Sequence, residues 1–255
     1  MKITVLGCGS SGGVPLIGNV WGNCDPDEPR NRRMRVSILV EEGDTTILVD
    51  TSPDMRQQLL MNCNFSKLTA VVFTHSHADH CHGIDELRSV NWLTRNPTDI
   101  YADAATLKEL TDRFSYIFHG SQEGADYYKP VVKSHLIEGE FRIGEILITP
   151  IIQDHGYGRS LGFRFNDFAY STDVKSLDES AFAALQGVKA WVVDCVREDP
   201  HPTHSHLAQT LSWIERVKPE RAWLTHMNHT MDYKSIAAKL PSGVWPAHDG
   251  LVIEC

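Results

Sequence analysis

The chain has 255 residues, 42% of them hydrophobic, and a formal net charge of −9. It is long enough for one sizeable core and carries no polar tract of the kind that stays disordered. An acidic chain lacks the overall field that draws proteins to nucleic acid or anionic membranes, so a phosphate-bearing substrate must be met by a local positive site.

Ile3–Leu6 reads as an apolar strand ending in a Gly/Ser-rich turn, Gly7–Gly13, followed by a polar loop from about Gly18 to Arg33. No run of about 18 apolar residues suggests a membrane span. Met1–Leu6 lacks the apolar stretch of a cleaved leader, so a cytoplasmic location is expected. The six cysteines, Cys8, Cys24, Cys63, Cys81, Cys195 and Cys255, form no CxxC pair and are expected as free thiols. Val36–Glu41 and Thr46–Asp50 pattern as a hairpin turning at Gly43-Asp44. Pro53 opens a predicted helix through about Met61, with Ser52 as N-cap. Ala70–Phe73 is a short apolar strand. Glu109–Lys133 is hard to read and is expected to hold a lid or an irregular insertion. Beyond it, Ser134–Ile137, Ile146–Ile152, Ser160–Phe165 and Phe168–Ser171 look extended, the last two joined at Asn166-Asp167. Helices at Leu177–Leu185, His206–Val217 and Tyr233–Leu240 alternate with strands at Ala190–Asp194, Ala222–Thr225, Val244–Pro246 and Leu251–Glu254. No internal repeat or linker divides the chain, so residues 1–255 are expected to form one domain, a mixed sheet covered by helices.

The strand Ala70–Phe73 runs into Thr74-His75-Ser76-His77-Ala78-Asp79-His80. In extended chain, residues two apart face the same way, so His75 and His77 can converge on one ion. Asp79 and His80 follow where a helix begins and can face a second ion. Four donor-type residues in six, straight after a buried strand, are a strong metal signal. Two ions about 3.5–4 Å apart can clamp the attacking and leaving oxygens of a displacement. Cys81 and His82 are expected to pack or support the ligands. Three further donors sit at strand ends: His155, Asp173 and His226.

With these residues in place, the chain resembles the metallo-β-lactamase superfamily over nearly its whole length. The resemblance implies an α/β fold, an αβ/βα sandwich of two mixed sheets flanked by helices, with the site at one edge. It implies that His75, His77 and His155 hold one divalent ion, zinc or manganese. Asp79, His80 and His226 would then hold the other, with Asp173 bridging. It does not fix the substrate.

The opening Leu6-Gly7-Cys8-Gly9-Ser10-Ser11-Gly12-Gly13-Val14-Pro15 resembles the phosphodiesterase branch, which includes tRNase Z and the PhnP phosphodiesterases. Exposed N–H groups in such a turn can approach a phosphate. In that branch, the resemblance implies a catalytic role for His204. A charged imidazole near the leaving oxygen can donate a proton to it. His201 and His206 are expected as surface or helix-start residues, and Asp194 is a candidate for orienting His204. His229 resembles a ligand of a separate structural zinc, but the matching loop, Trp21–Pro26, offers only Cys24, so that zinc is not expected. Arg30, Arg32, Arg33 and Arg35 form a basic cluster, read as solvated surface or as a phosphate grip.

The expectation is a dinuclear phosphodiesterase for a small cyclic phosphate of ribose or of a nucleoside. A hydroxide between the metals would attack, Asp79 would orient it, and His204 would protonate the leaving oxygen. The partner expected is a small phosphate ester or nucleotide, without membrane or stable nucleic-acid partner; a homodimer is allowed for. Rivals are a tRNase Z-like nuclease, a glyoxalase II-like thioester hydrolase, and a non-catalytic nucleotide-binding protein.

Overall fold

The computed structural model describes residues 1–62, 68–120 and 129–255. The first sheet contains β1 (Lys2–Gly7), β2 (Ser37–Glu42), β3 (Thr45–Val49), β4 (Ala70–Val72), β5 (Thr98–Ala102), β6 (Val132–Leu136) and β14 (Leu251–Glu254), in the order β14-β1-β2-β3-β4-β5-β6. The second contains β7 (Phe141–Ile143), β8 (Ile146–Asp154), β9 (Arg159–Phe165), β10 (Phe168–Ser171), β11 (Ala190–Asp194), β12 (Arg221–Thr225) and β13 (Val244–Pro246), in the order β13-β12-β11-β10-β9-β8-β7.

Side chains alternate across a strand, and the first sheet uses both faces. Ile38, Val40, Ile47, Val49, Ala70 and Val72 join a core shared with Ile148, Phe163, Tyr170 and Val192 of the second sheet. The intervening Leu39, Leu48 and Val71 face the other way, into a second core with Met55, Leu59, Ile84, Leu87 and Leu110. These come from α1 (Met55–Asn62), α3 (Leu87–Thr94), α4 (Ala104–Arg113) and the short 3-10 turn Ile84–Glu86. The rest are α2 (Ala78–Cys81), α5 (Ser115–His119), α6 (Glu179–Leu185), α7 (Leu207–Val217) and α8 (Tyr233–Ala237). Two mixed sheets flanked by helices is the sandwich expected from the sequence.

Strand direction positions the site. β3, β4, β5 and β6 are mutually parallel, as are β10, β11, β12 and β13, so each set brings its C-terminal ends to one edge. β8 is antiparallel to β9, which is antiparallel to β10, so β8 ends at that edge too.

The expected hairpin turns at Gly43-Asp44, with Glu42 paired to Thr45. The first helix begins at Met55, not Pro53: the Ser52 hydroxyl accepts the Asp54 N–H at 3.1 Å, a local turn that delays the helix. The expected irregular stretch from Glu109 is instead helical at first. Asp103 caps α4 by accepting the Thr106 N–H at 2.7 Å, α5 follows, and β6 starts at Val132. Residues 121–128 of that stretch, and Cys63, lie outside the described residues. The other five cysteines are free. Among the described residues no helix is long and apolar enough to cross a membrane.

Candidate metal centre

The strand-end residues meet at this edge. His75, His77, His155 and Asp173 form one donor group, and Asp79, His80, Asp173 and His226 a second, with ligand atoms in each group within 4.8 Å of one another. Asp173 belongs to both. Its Oδ1 lies 3.1 Å from His80 Nε2 and 3.4 Å from His226 Nε2; its Oδ2 lies 3.5 Å from His155 Nε2 and 3.8 Å from His75 Nε2. A carboxylate with one oxygen toward each group is placed to bridge. Asp79 Oδ2 completes the second group, 3.5 Å from His80 Nε2 and 3.6 Å from His226 Nε2.

The donor set fits divalent cations. His75 Nε2, His80 Nε2 and His226 Nε2 are buried with no hydrogen-bond partner. Buried polar atoms are nearly always satisfied, so three converging orphans mark a place for an electron-pair acceptor. The Nδ1 atoms of His80 and His155 are held from behind. His80 Nδ1 is 2.7 Å from Asp50 Oδ2, and Asp50 also accepts the Thr74 N–H and hydroxyl at 2.8 and 2.7 Å. His155 Nδ1 donates to the Thr203 carbonyl at 2.9 Å. Such contacts orient these two rings with Nε2 toward the donor cluster.

Asp50, fully buried at the end of β3, escaped the sequence reading. The signal was an apolar strand ending in Asp, as for Asp173. Asp50, Asp173 and His226 share a further property: each has a left-handed backbone, with φ of 63°, 53° and 57°. Non-glycine residues adopt this conformation at a cost, so the surrounding structure must hold them in it. Here the chain must turn sharply off a strand end while its side chain points into the cluster.

Burial alone would leave these groups neutral. Burial, reinforced by His80, pushes His75 well below its usual value, keeping its lone pair free. His226 goes the other way: against burial, Asp173, Asp79 and Asp194 raise it to about 9. Asp173 stays well below its usual range despite burial, because His226, His80 and His75 surround it.

His204 sits beside the cluster, its Nε2 3.8 Å from Asp173 Oδ2 and its ring stacked on His226 at 4.6 Å. Its Nδ1 lies 3.3 Å from Asp194 Oδ2. Asp194 is buried, and also accepts the N–H groups of Ser205 and Val174. Its other oxygen is 3.7 Å from His226 Nδ1, so one carboxylate faces both imidazoles. His201 packs at 5.1 Å from the His204 ring, while His206 precedes α7 without capping it through its side chain. Cys81 is buried, with its thiol on the Ser76 carbonyl, and His82 packs edge-on against Phe114. The cleft over the cluster holds about 630 Å³, lined also by Ser11, Ala105, Tyr157 and Arg159.

Much of the Gly/Ser-rich turn and of the arginine cluster is engaged within the protein. In the Gly/Ser-rich turn, the N–H groups of Cys8, Gly9, Ser10 and Gly13 bond to Asp249, Met34, Met227 and Ser10. The glycines serve packing: a Cβ on Gly7 would lie 2.1 Å from the Arg35 carbonyl. The arginine cluster is part surface and part interior: Arg30 and Arg32 are exposed, Arg35 is half-buried and Arg33 is buried. Arg30 grips Glu28 with two hydrogen bonds and lies 4.0 Å over Tyr233; Arg32 lies over Trp21; Arg35 pairs with Asp54 at 3.1 Å. Arg33 is buried and donates to the Met231 and Asn228 carbonyls and to Asn31. The cluster ties the polar loop to the segment after β12. Cys24 and His229 lie on these two segments, which touch through the bond from the Asn23 N–H to the His229 carbonyl; the Cys24 thiol is 3.9 Å from Arg33 Nη1.

Fold and site together define a metal-dependent hydrolase of the metallo-β-lactamase type. The chain belongs to the beta-lactamase superfamily, whose domain model matches residues 45–227. A solved structure of a new diphosphatase from the PhnP family is similar over 99% of this chain and 96% of that one, with a TM-score of 0.89 and 32% identity. The anti-Pycsar protein Apyc1 of Paenibacillus harenae is 28% identical over 77% of this chain and 84% of its own length. An octanoyltransferase of Porphyromonas gingivalis is 28% identical over 98% of this chain, which spans only 51% of that protein.

Proposed function

We propose that the protein is a dinuclear metal-dependent phosphodiesterase acting on a small cyclic phosphate of ribose or of a nucleoside. His75, His77 and His155 would hold one ion, Asp79, His80 and His226 the other, with Asp173 between them. Zinc suits the imidazole-rich set, and manganese the carboxylates. Divalent ions bound there supply Lewis acidity toward the phosphoryl oxygens and the attacking water.

The observation that carries the reading is His204. It sits beside the donor cluster, outside the seven-residue set, with Asp194 on its Nδ1 and its Nε2 toward Asp173. Asp194 would hold the proton on Nδ1 and stabilise the charged ring, so that Nε2–H is presented to the leaving oxygen. Asp79, partly exposed at the cleft, would accept a hydrogen bond from the attacking water and orient it. Thioester hydrolysis needs no such acid, because a thiolate leaves readily. The similarity to a PhnP-family diphosphatase supports phosphate chemistry. A folded RNA is disfavoured by the net charge of −9 and by arginines already engaged within the protein.

The test is a screen with zinc or manganese against cyclic nucleotides, linear phosphodiesters, thioesters and a precursor tRNA. Cleavage of the small phosphodiesters is expected; activity on thioesters or tRNA alone would overturn the reading. His204→Ala is expected to keep its metal and lose on the order of 10²–10⁴ in turnover. The loss should shrink for p-nitrophenolate leaving groups, which need no proton. Equal loss for good and poor leaving groups would make His204 a positioning residue.

A further inference from the structure

The proposed substrate class leaves open whether the reacting phosphate is carried by a bare sugar or by a nucleoside. The rim of the cleft decides between them. β8 and β9 are joined by the tight turn His155–Gly158. The first residue of this turn belongs to the donor cluster, and its third, Tyr157, is 95% exposed while lining the cleft.

An aromatic ring this exposed is commonly the tip of a mobile loop. This one stands on a fixed backbone. The His155 N–H bonds to the Gly158 carbonyl at 3.0 Å, and the Tyr157 N–H to the His155 carbonyl at 3.1 Å. The Gly156 N–H bonds to Asp154 Oδ1 at 2.9 Å, and the other Asp154 oxygen accepts the Ser176 hydroxyl at 2.7 Å. Gly156 has φ of 82°, and a Cβ there would lie 2.9 Å from the Pro202 carbonyl and from Thr203. The turn is therefore seated on the segment leading to His204, and it places Tyr157 at the cleft rim.

Arg159, two residues on, lines the same cleft, and among the described residues nothing pairs with its guanidinium. The acidic groups lining the cleft away from the donor cluster are engaged: Asp103 caps α4, and Glu109 bonds Ser76 and Arg113. The cleft thus offers the unreacted part of a substrate an aromatic ring on a hydrogen-bonded turn and an uncommitted cation. Aromatic side chains are stacking platforms for bases, and a neighbouring guanidinium adds attraction for the π-face and for phosphate. A cleft of about 630 Å³ has room for a mononucleotide.

We infer that Tyr157 and Arg159 form a nucleobase platform, so that the substrate is a nucleoside phosphate and not a bare sugar phosphate. This rests on the phosphodiesterase reading above. The experiment compares kcat/KM for adenosine 2′,3′-cyclic phosphate and for a cyclic phosphate of unsubstituted ribose, in the wild type and in Tyr157→Ala, Tyr157→Phe and Arg159→Gln. The wild type should favour the nucleoside. Tyr157→Ala should cut that preference about tenfold, chiefly through KM, as expected for losing one stacked base. Tyr157→Phe should keep the preference, and Arg159→Gln should reduce it. A preference that survives in Tyr157→Ala within twofold overturns the platform, even if both activities fall. Hydrolysis of neither compound by the metal-loaded wild type counts against the phosphodiesterase reading instead. The side chain is solvent-exposed, so unfolding is not expected to confuse the result; melting curves check this.

Discussion

Two clusters of charged side chains stand out in the sequence, and the fold treats them oppositely. The histidines and aspartates at the strand ends converge on a cleft and leave four buried imidazole nitrogens without partners: His75 Nε2, His80 Nε2 and both nitrogens of His226. The arginines at 30–35 consume one another's surroundings: a glutamate, an aspartate, two aromatic rings, an asparagine and two carbonyls. Among the buried side-chain nitrogens of these arginines, only Arg33 Nε lacks a hydrogen-bond partner. Density of donors in a sequence therefore does not mark a site. What marks it is a set of buried polar atoms that the protein itself does not satisfy, because only a ligand can repay their desolvation.

The sharpest break of this contrast is Asp173→Ala. It removes the carboxylate shared by both donor groups, so metal content by elemental analysis should fall well below the two per chain expected of the wild type. Activity should fall by at least roughly 10³-fold, since activation of water by the metals is lost. Retention of both ions would show that Asp173 is not a ligand. Asp50→Asn is milder. The amide keeps the size but cannot stabilise the Nδ1 proton of His80 as a carboxylate does, so metal affinity should weaken about 10–100-fold. Competition with a chromophoric chelator reads this directly, and unchanged affinity would reduce Asp50 to a packing role.

The donors of the first motif were legible because a buried strand announced them. Asp173 and His226 were legible as strand ends, and the structure places all of them together. Asp50 was not singled out, because an Asp after a hairpin strand reads as ordinary turn chemistry. The left-handed backbone that aims it is invisible in one sequence. β5 was missed because Thr98-Asp99-Ile100-Tyr101-Ala102 alternates polar and apolar residues too weakly, although Thr98, Ile100 and Ala102 are buried. α4 carries a clear Asp103 cap but lies between segments without strong periodicity. Whether the arginine loop was surface or site depended on acceptors more than 190 residues away, such as the Met231 carbonyl.

The imidazoles also give the metal-free protein a distinctive pH response. His226 is raised to about 9, so its contribution to stability is complete below the unfolded value near 6.5 and is lost as pH rises through 9. His75 and His155 are lowered, so theirs is complete above 6.5 and is lost as pH falls below it. Chelated protein should thus be most stable near neutral pH. The His226 contribution is on the order of 3 kcal/mol. Metal competes with the same proton, so the melting-temperature gap between loaded and chelated protein should widen from pH 6.5 to 9. A gap independent of pH would mean that the metal does not displace a proton from this cluster.

The smallest effect on activity belongs to the arginine loop, and it bears on the contrast from the other side. Arg33→Met keeps most of the side-chain volume but strips the donors from the Met231 and Asn228 carbonyls and from Asn31. Those acceptors lie in buried or half-buried places, so the variant should lose about 2–4 kcal/mol of stability. The polar loop and the segment after β12 would be joined less firmly, but the lining of the cleft contains none of the four arginines. With metal supplied in excess and below the new melting temperature, kcat and KM for a small phosphodiester should stay within about twofold of the wild type. A phosphate-gripping arginine would behave in the reverse way, with melting nearly unchanged and KM raised tenfold or more, as loss of a charged hydrogen bond to substrate predicts. Denaturation curves and steady-state kinetics on the same preparation separate the two outcomes.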